Sequence, residues 1–203
     1  MYRPQRRTQP NAGPDRIGIV GFHEHGFVIA RPAEPYAPWL MERSQSLHER
    51  LGGRTNMADG LRQALQLLST VPHGIHRRIW LLSDGEPNVD VASIGPLLDA
   101  CYAAHININT IGFGNSFDER LLRHIASATH RGRFLSVQNL RQLTTALAEA
   151  DNPIPPQGRR SETTILTIDC SGSMSEPMEG RWKIFVVEEA ILHLLHYKQR
   201  LFS

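Results

Sequence analysis

Asp169, Ser171 and Ser173 stand at alternate positions in the stretch Ile165-Leu166-Thr167-Ile168-Asp169-Cys170-Ser171-Gly172-Ser173-Met174. Three hard oxygen donors thus share one short loop, at the mouth of an apolar run that reads as a buried strand; hard oxygens are what Mg²⁺ and Ca²⁺ take as ligands. Taken singly, each residue has a plainer use, because Ser and Asp at strand ends close turns and cap helices. Covalent chemistry fits the loop less well. A Cys-type phosphatase needs an Arg closing the loop after Cys170, and Glu176 stands there instead. A phosphoaspartyl hydrolase wants a second Asp where Ser171 sits, and Cys170-Ser171-Gly172 lacks the first Gly of a G-x-S-x-G elbow. Metal-assisted hydrolysis stays open as an alternative, since a bound ion activates water. His23-Glu24-His25 offers a second group of potential ligands, but ten histidines are scattered along the chain and a solvated hairpin tip accounts for these residues. Cys170 reads as a small buried thiol on the core side of the loop.

The elements that must position this loop follow from the hydrophobic pattern. Ile17–Phe22 is a near-continuous apolar run, and Phe27–Ala30 follows after a Gly, which suggests a hairpin. Leu40, Leu47 and Leu51 place a helix over Trp39–Leu51. Met57, Leu61, Ala64, Leu65 and Leu68 form one stripe of a helix from Asn56 to Leu68. Ile79–Leu82 is a strand running into Ser83-Asp84-Gly85. Ile94, Leu97, Leu98 and Cys101 mark the next helix, and Ile106–Phe113 the next strand. Asp118 caps a helix through Leu121, Leu122 and Ile125. Arg133–Val137 is a short strand, with the stripe Leu140, Leu143, Leu147 after it. Strands alternating with helices of this length predict an α/β fold: doubly wound, with a mostly parallel central sheet and helices on both faces. Residues 1–14 read as a disordered leader, residues 15–150 as the body of one domain, and the Pro-rich 151–163 as a stiff linker. In residues 164–203, a strand at Thr164–Ile168 carries the loop into a long helix from about Arg181 to Leu201, striped with Ile184, Val187, Ile191, Leu194 and Leu195.

Composition sets the frame. The 203 residues, 40% of them hydrophobic, suffice for a full core without metal or disulfide staples. A net charge of +2 gives no argument for nucleic acid. Two cysteines, Cys101 and Cys170, make no disulfide framework and suit a reducing compartment. No apolar run approaches the roughly 20 residues of a membrane helix, and the polar, Pro-rich start is unlike a secretory signal. The expected location is the cytoplasm.

The D-x-S-x-S loop resembles the metal-ion-dependent adhesion site (MIDAS) of von Willebrand factor A domains, where it lies on the first strand. Gly52-Gly53-Arg54-Thr55-Asn56-Met57-Ala58-Asp59-Gly60-Leu61 is similar to the Thr-bearing loop of that site and the helix it opens. Leu81-Leu82-Ser83-Asp84-Gly85 is similar to the strand end bearing its second Asp. All three motifs occur, in rotated order, so the resemblance over residues 15–203 implies a circularly permuted domain. A second, truncated domain at 164–203, or exchange of that segment between two chains, are the competing organisations. A linker of about a dozen residues reaches up to roughly 40 Å, enough to join the old ends across the sheet.

The resemblance also implies a mechanism. Ser171 and Ser173 would bind Mg²⁺ (with Mn²⁺ or Ca²⁺ as alternatives) through their hydroxyls, Asp169 and Asp84 directly or through water, and Thr55 once a ligand is present. The remaining coordination position would take an Asp or Glu of a partner protein, so the implied function is protein binding rather than turnover. AAA+ ATPases of the MoxR type are the partners the family suggests, with the chain a monomer or a segment-swapped dimer. A metal-dependent hydrolase and a scaffold with an empty site are the other readings.

Overall fold

The computed structural model describes residues 14–149 and 161–202. Most of the 1–14 leader and of the 151–163 linker therefore lies outside the described residues. Six strands form one sheet: β1 (Arg16–Phe22), β2 (Gly26–Ala33), β3 (His76–Ser83), β4 (Ile106–Phe113), β5 (Phe134–Val137) and β6 (Glu162–Asp169). Their order is β2-β1-β6-β3-β4-β5, with all neighbours parallel except the β1–β2 hairpin. The doubly wound, mostly parallel sheet expected from the sequence is the one observed.

The strand latest in the chain is thus central. β6 pairs with β1 from Arg16↔Thr163 to Phe22↔Asp169 and with β3 from His76↔Glu162 to Leu82↔Ile168. It starts at Glu162, inside the expected linker, because Glu162 and Thr163 find partners on the neighbouring strands. Parallel strands covered on both faces read as continuous apolar runs, and here successive residues serve opposite faces. Leu166, Ile168, Trp80, Leu82, Ile111 and Phe113 point to one layer, and Ile165, Ile79, Leu81, Ile106 and Ile108 to the other.

The first layer holds α1 (Pro38–Ser44), α5 (Leu140–Glu149) and α6 (Lys183–Phe202); the second holds α2 (Met57–Ser69), α3 (Ile94–Ala103) and α4 (Glu119–Ser127). Asn56 caps α2 by accepting from the Asp59 N–H, and Asp118 caps α4 by accepting from the Leu121 N–H. The expected helix over 39–51 is broken instead. Ser44 Oγ donates back to Met41 O and Ser46 Oγ to Arg43 O, a competition with the backbone that ends α1; a 3₁₀ turn over Leu47–Arg50 follows. α6 buries Ile184, Val186, Val187, Ala190, Ile191, Leu194 and Leu195. At about 1.5–3 kcal/mol for each large aliphatic side chain, this burial outweighs any local preference of the helix and fixes it across the sheet. Between β6 and α6 a two-rung hairpin intervenes, β7 (Pro177–Met178) and β8 (Arg181–Trp182), so α6 starts two residues later than the pattern suggested.

At the end of the sheet where the parallel strands begin, Lys198 near the end of α6 donates to Asp15 at 2.8 Å, both side chains buried, and Asp15 also accepts the Glu162 N–H. One buried ion pair therefore ties α6, β1 and β6 together. Among the described residues, no helix is long and apolar enough to cross a membrane.

Candidate functional site

The carboxyl ends of β6 and β3 are adjacent, and side chains of an open α/β sheet meet ligands at that edge. Asp169 is the last residue of β6, Ser83 the last of β3, and Asp84 the next residue along. Beyond β6 a 3₁₀ turn over Gly172–Ser175 folds the serine loop back over these ends.

The serine loop and Asp84 converge. Ser171 Oγ lies 3.1 Å from Ser173 Oγ, and Ser173 Oγ donates to Asp84 Oδ1 at 2.7 Å. Six oxygens at about 2.1 Å around a Mg²⁺-sized centre have neighbours about 3 Å apart, so these three oxygens have the spacing of adjoining vertices. Thr55 faces the same ground: a Cβ on Gly85 would sit 3.6 Å from Ser173 Oγ and 4.0 Å from Thr55 Oγ1. Thr55 is held by a reciprocal pair with Asn88, whose Oδ1 accepts the Thr55 N–H while its own N–H donates to Thr55 O.

Asp169 stands behind this row. Its Oδ1 accepts the Ser171 N–H at 2.9 Å and its Oδ2 the Ser83 hydroxyl at 2.6 Å, so both oxygens are engaged in shaping the loop. Burial pushes its carboxyl up to about 6; the hydrogen bonds from Ser83 and Ser171 pull it down and the Asp84 charge adds to the rise. Asp84 and Asp169 are both fully buried, and burial of two carboxylates so close together demands compensating partners. Cys170 points to the core, as its position suggested. Burial, with the Asp169 charge, raises its thiol far above the range where thiolate chemistry starts.

Two groups that sequence spacing did not mark belong to the site. Lys183, the first residue of α6, donates from Nζ to Asp84 Oδ2 and to Glu176 Oε2, both at 2.7 Å. Burial alone would lower its pKa, but the bonds to Asp84 and Glu176 outweigh that and raise it. Ser83 is the other, as the donor that orients Asp169. The His23-Glu24 tip is a strut rather than a set of ligands: Glu24 Oε1 accepts the Gly53 N–H, and Gly52 donates to Cys170 O at 2.8 Å. Gly52 is wedged so tightly that a Cβ would lie 2.4 Å from His23 Cγ. Among the described residues no cluster of three or more His, Cys, Asp and Glu side chains is arranged to hold a metal. The donor set here is hydroxyl and carboxylate oxygen, the hard chemistry that suits Mg²⁺ rather than zinc.

Comparison with known proteins completes the picture. The model of the von Willebrand factor type A domain matches residues 12–149, a span that runs from β1 to α5 and leaves out β6 and α6. A von Willebrand factor type A protein from Catenulispora acidiphila is 20% identical, with a TM-score of 0.53 over 63% of this chain and 31% of that one. An aerotolerance-related membrane protein from Bacteroides fragilis is 15% identical, with a TM-score of 0.52 over 64% of this chain and 75% of that one. An uncharacterized membrane-spanning protein from Vibrio fischeri is 24% identical over 70% of this chain and 77% of its own, with a TM-score of 0.36. No curated protein matches the sequence. With the family model covering more than half its length, the chain belongs to the von Willebrand factor type A domain family.

Proposed function

We propose that this domain is a divalent-metal-dependent protein-binding module that uses Mg²⁺ to engage an Asp or Glu of a partner. The observation that carries the reading is the row Ser171 Oγ, Ser173 Oγ and Asp84 Oδ1 at 2.7–3.1 Å spacing, with Thr55 facing it across Gly85. Ser171 and Ser173 supply direct ligands. Asp84 supplies charge through the oxygen that now accepts from Ser173. Asp169 shapes the loop through the Ser171 N–H and the Ser83 hydroxyl, and its remaining lone pairs reach the ion directly or through water. Thr55 completes the set when a partner is in place. When bound, the ion supplies a Lewis-acidic position that a partner's carboxylate fills; Mn²⁺ and Ca²⁺ are the other candidates.

The surroundings support binding rather than turnover. Asp84, the carboxylate beside Ser173, is engaged by the Lys183 ammonium, and Cys170 is sealed in the core. We read the chain order as a circular permutation of the family fold, with β6 and α6 in the role of its first strand and helix and residues 151–163 as the join. Support comes from the place of β6 between β1 and β3 and from a family match confined to residues 12–149. A MoxR-type AAA+ ATPase in the cytoplasm is the partner we propose on the family resemblance. A swapped dimer would differ from this arrangement in mass, which light scattering measures.

Calorimetric titration of EDTA-treated protein with Mg²⁺ and Mn²⁺ tests the reading, beside the Asp169→Ala, Ser171→Ala double variant. One-site binding that the variant loses is the expected result. The open position is tested with acetate as a carboxylate probe: acetate added to the Mn²⁺-loaded protein displaces metal-bound water and lowers the water-proton relaxation rate. A well-folded protein that takes up neither ion, or a loaded protein indifferent to acetate, would overturn the bridging mechanism.

A further inference from the structure

Lys183 is an unusual neighbour for a cation site. Its ammonium sits on the carboxylate that the proposed ion needs, 2.7 Å from Asp84 Oδ2, with its own side chain 7% exposed and that of Asp84 wholly buried. It is not an accident of a floppy lysine. The stem runs in beside Gly114 and Met178, the Nζ bridges to Glu176 at 2.7 Å, and the Lys183 N–H donates to Glu176 O at 3.0 Å. Glu176 thus holds Lys183 at both ends, through backbone and side chain, and with 59% of its side chain exposed it stands at the rim.

Within the bonded group formed by Asp169, Ser171, Ser173, Asp84, Lys183 and Glu176, three carboxylates face one ammonium, so Lys183 offsets only part of the negative charge. We infer that Lys183 is a tethered competitor of the divalent ion for Asp84, balanced by Glu176, and that this contest sets the metal affinity of the domain below what its donors alone would give. The inference rests on the metal-binding reading above and adds its regulation. A domain so tuned is loaded only weakly alone and more firmly when a partner carboxylate adds its negative charge, because the coupling between ion and partner is reciprocal. Asp84 is then never a bare buried charge: Lys183 satisfies it before the ion arrives.

Three proteins test this at low ionic strength after EDTA treatment: the wild type, Lys183→Met, which keeps the apolar stem, and Glu176→Gln at the exposed rim. Their dissociation constants for Mg²⁺ and Mn²⁺ are measured by calorimetry and their melting temperatures with and without Mg²⁺. Lys183→Met is expected to bind about tenfold tighter or more, since a neighbouring cation is gone, and to melt lower than wild type in EDTA but regain the loss with Mg²⁺. Glu176→Gln is expected to bind about threefold weaker, as an exposed charge lost nearby. If Lys183→Met binds as the wild type does, or more weakly, the competition is refuted while the metal site stands. If none of the three binds either ion, this inference and the metal reading both fall. Should Lys183→Met be unfolded in EDTA, refolding by Mg²⁺ supports the inference; no refolding, with an unchanged affinity in Glu176→Gln, overturns it.

Discussion

Replacing Asp169 by Asn removes a charge while keeping the side chain's size, and the outcome reports directly on the electrostatics of the site. The carboxyl is fully buried and held by the Ser83 hydroxyl and the Ser171 N–H. Burial carries its pKa to about 6 in the folded protein, against about 3.9 in an unfolded chain. That difference corresponds to about 3 kcal/mol. The sign follows from proton binding: between about pH 4 and 6 the folded protein holds a proton that the unfolded chain has released. The contribution of Asp169 to stability is therefore greatest below about pH 4, falls as pH climbs through that window, and stays reduced above it. The amide of the Asp169→Asn variant can accept from the Ser171 N–H and donate to Ser83, so it keeps the loop without the buried charge. In EDTA, Asp169→Asn should be about 1–3 kcal/mol more stable than wild type at pH 7.5 and equal to it near pH 4, as read by urea unfolding. Mg²⁺ at about a thousand times its dissociation constant should reverse the order, since it adds about 4.1 kcal/mol to the protein that binds it. A variant less stable than wild type at pH 7.5 in EDTA, or a difference independent of pH, would refute the reasoning.

Other perturbations have distinct signatures. Ser83→Ala deprives Asp169 of its 2.6 Å hydrogen bond; the pH at which stability falls should move upward, and Mg²⁺ affinity should drop about tenfold, as for other residues that orient a metal ligand. Gly52→Ala forces a methyl group into His23 and the Glu24 carboxylate, and thermal unfolding should show a loss of about 1–3 kcal/mol, with weaker Mg²⁺ binding because the loop beside Cys170 is displaced. Lys198→Met leaves Asp15 buried without the ammonium it accepts from; urea unfolding should show a loss of about 3–5 kcal/mol with Mg²⁺ affinity unchanged, since the pair lies at the far end of the sheet.

What could be read in the sequence, and what could not, divides along the range of the interactions. β4 and the stripe of α6 were visible because burial on one or two faces imposes its period on adjacent residues. The caps Asn56 and Asp118 are local as well, a side chain bonding to a backbone N–H three residues on. The Trp39–Leu51 helix failed because two serines offered the backbone a rival partner, which leucine spacing does not register. β7 and β8 were missed since two residues show no period. Asp169, Ser171, Ser173, Thr55 and Asp84 stand out in the sequence only through their likeness to a family motif, and the fold brings these residues together at one edge of the sheet. Lys183 escapes a reading of the sequence because it lies 99 residues from Asp84, and a lysine beside an amphipathic helix reads as an ordinary solvated charge. Glu176 is a near neighbour in the chain, but Asp84 comes from a segment that only the finished sheet brings to Lys183.

The order of strands has a consequence for how the molecule is made. β6 follows β1–β5 in the chain yet separates β1 from β3. Without β6, the remaining strands could pair only as β2-β1 and β3-β4-β5, each leaving an unpaired apolar edge where β6 belongs. Such edges are templates for pairing with other chains, and the contacts that cover them join segments more than eighty residues apart, which folds slowly. Commitment to the native state thus waits on the arrival of the segment that also carries the serine loop. Bringing Asp169, Ser171 and Ser173 beside Asp84 and closing the sheet then become one and the same event, and until it occurs the edges of β1 and β3 that β6 covers have no partner.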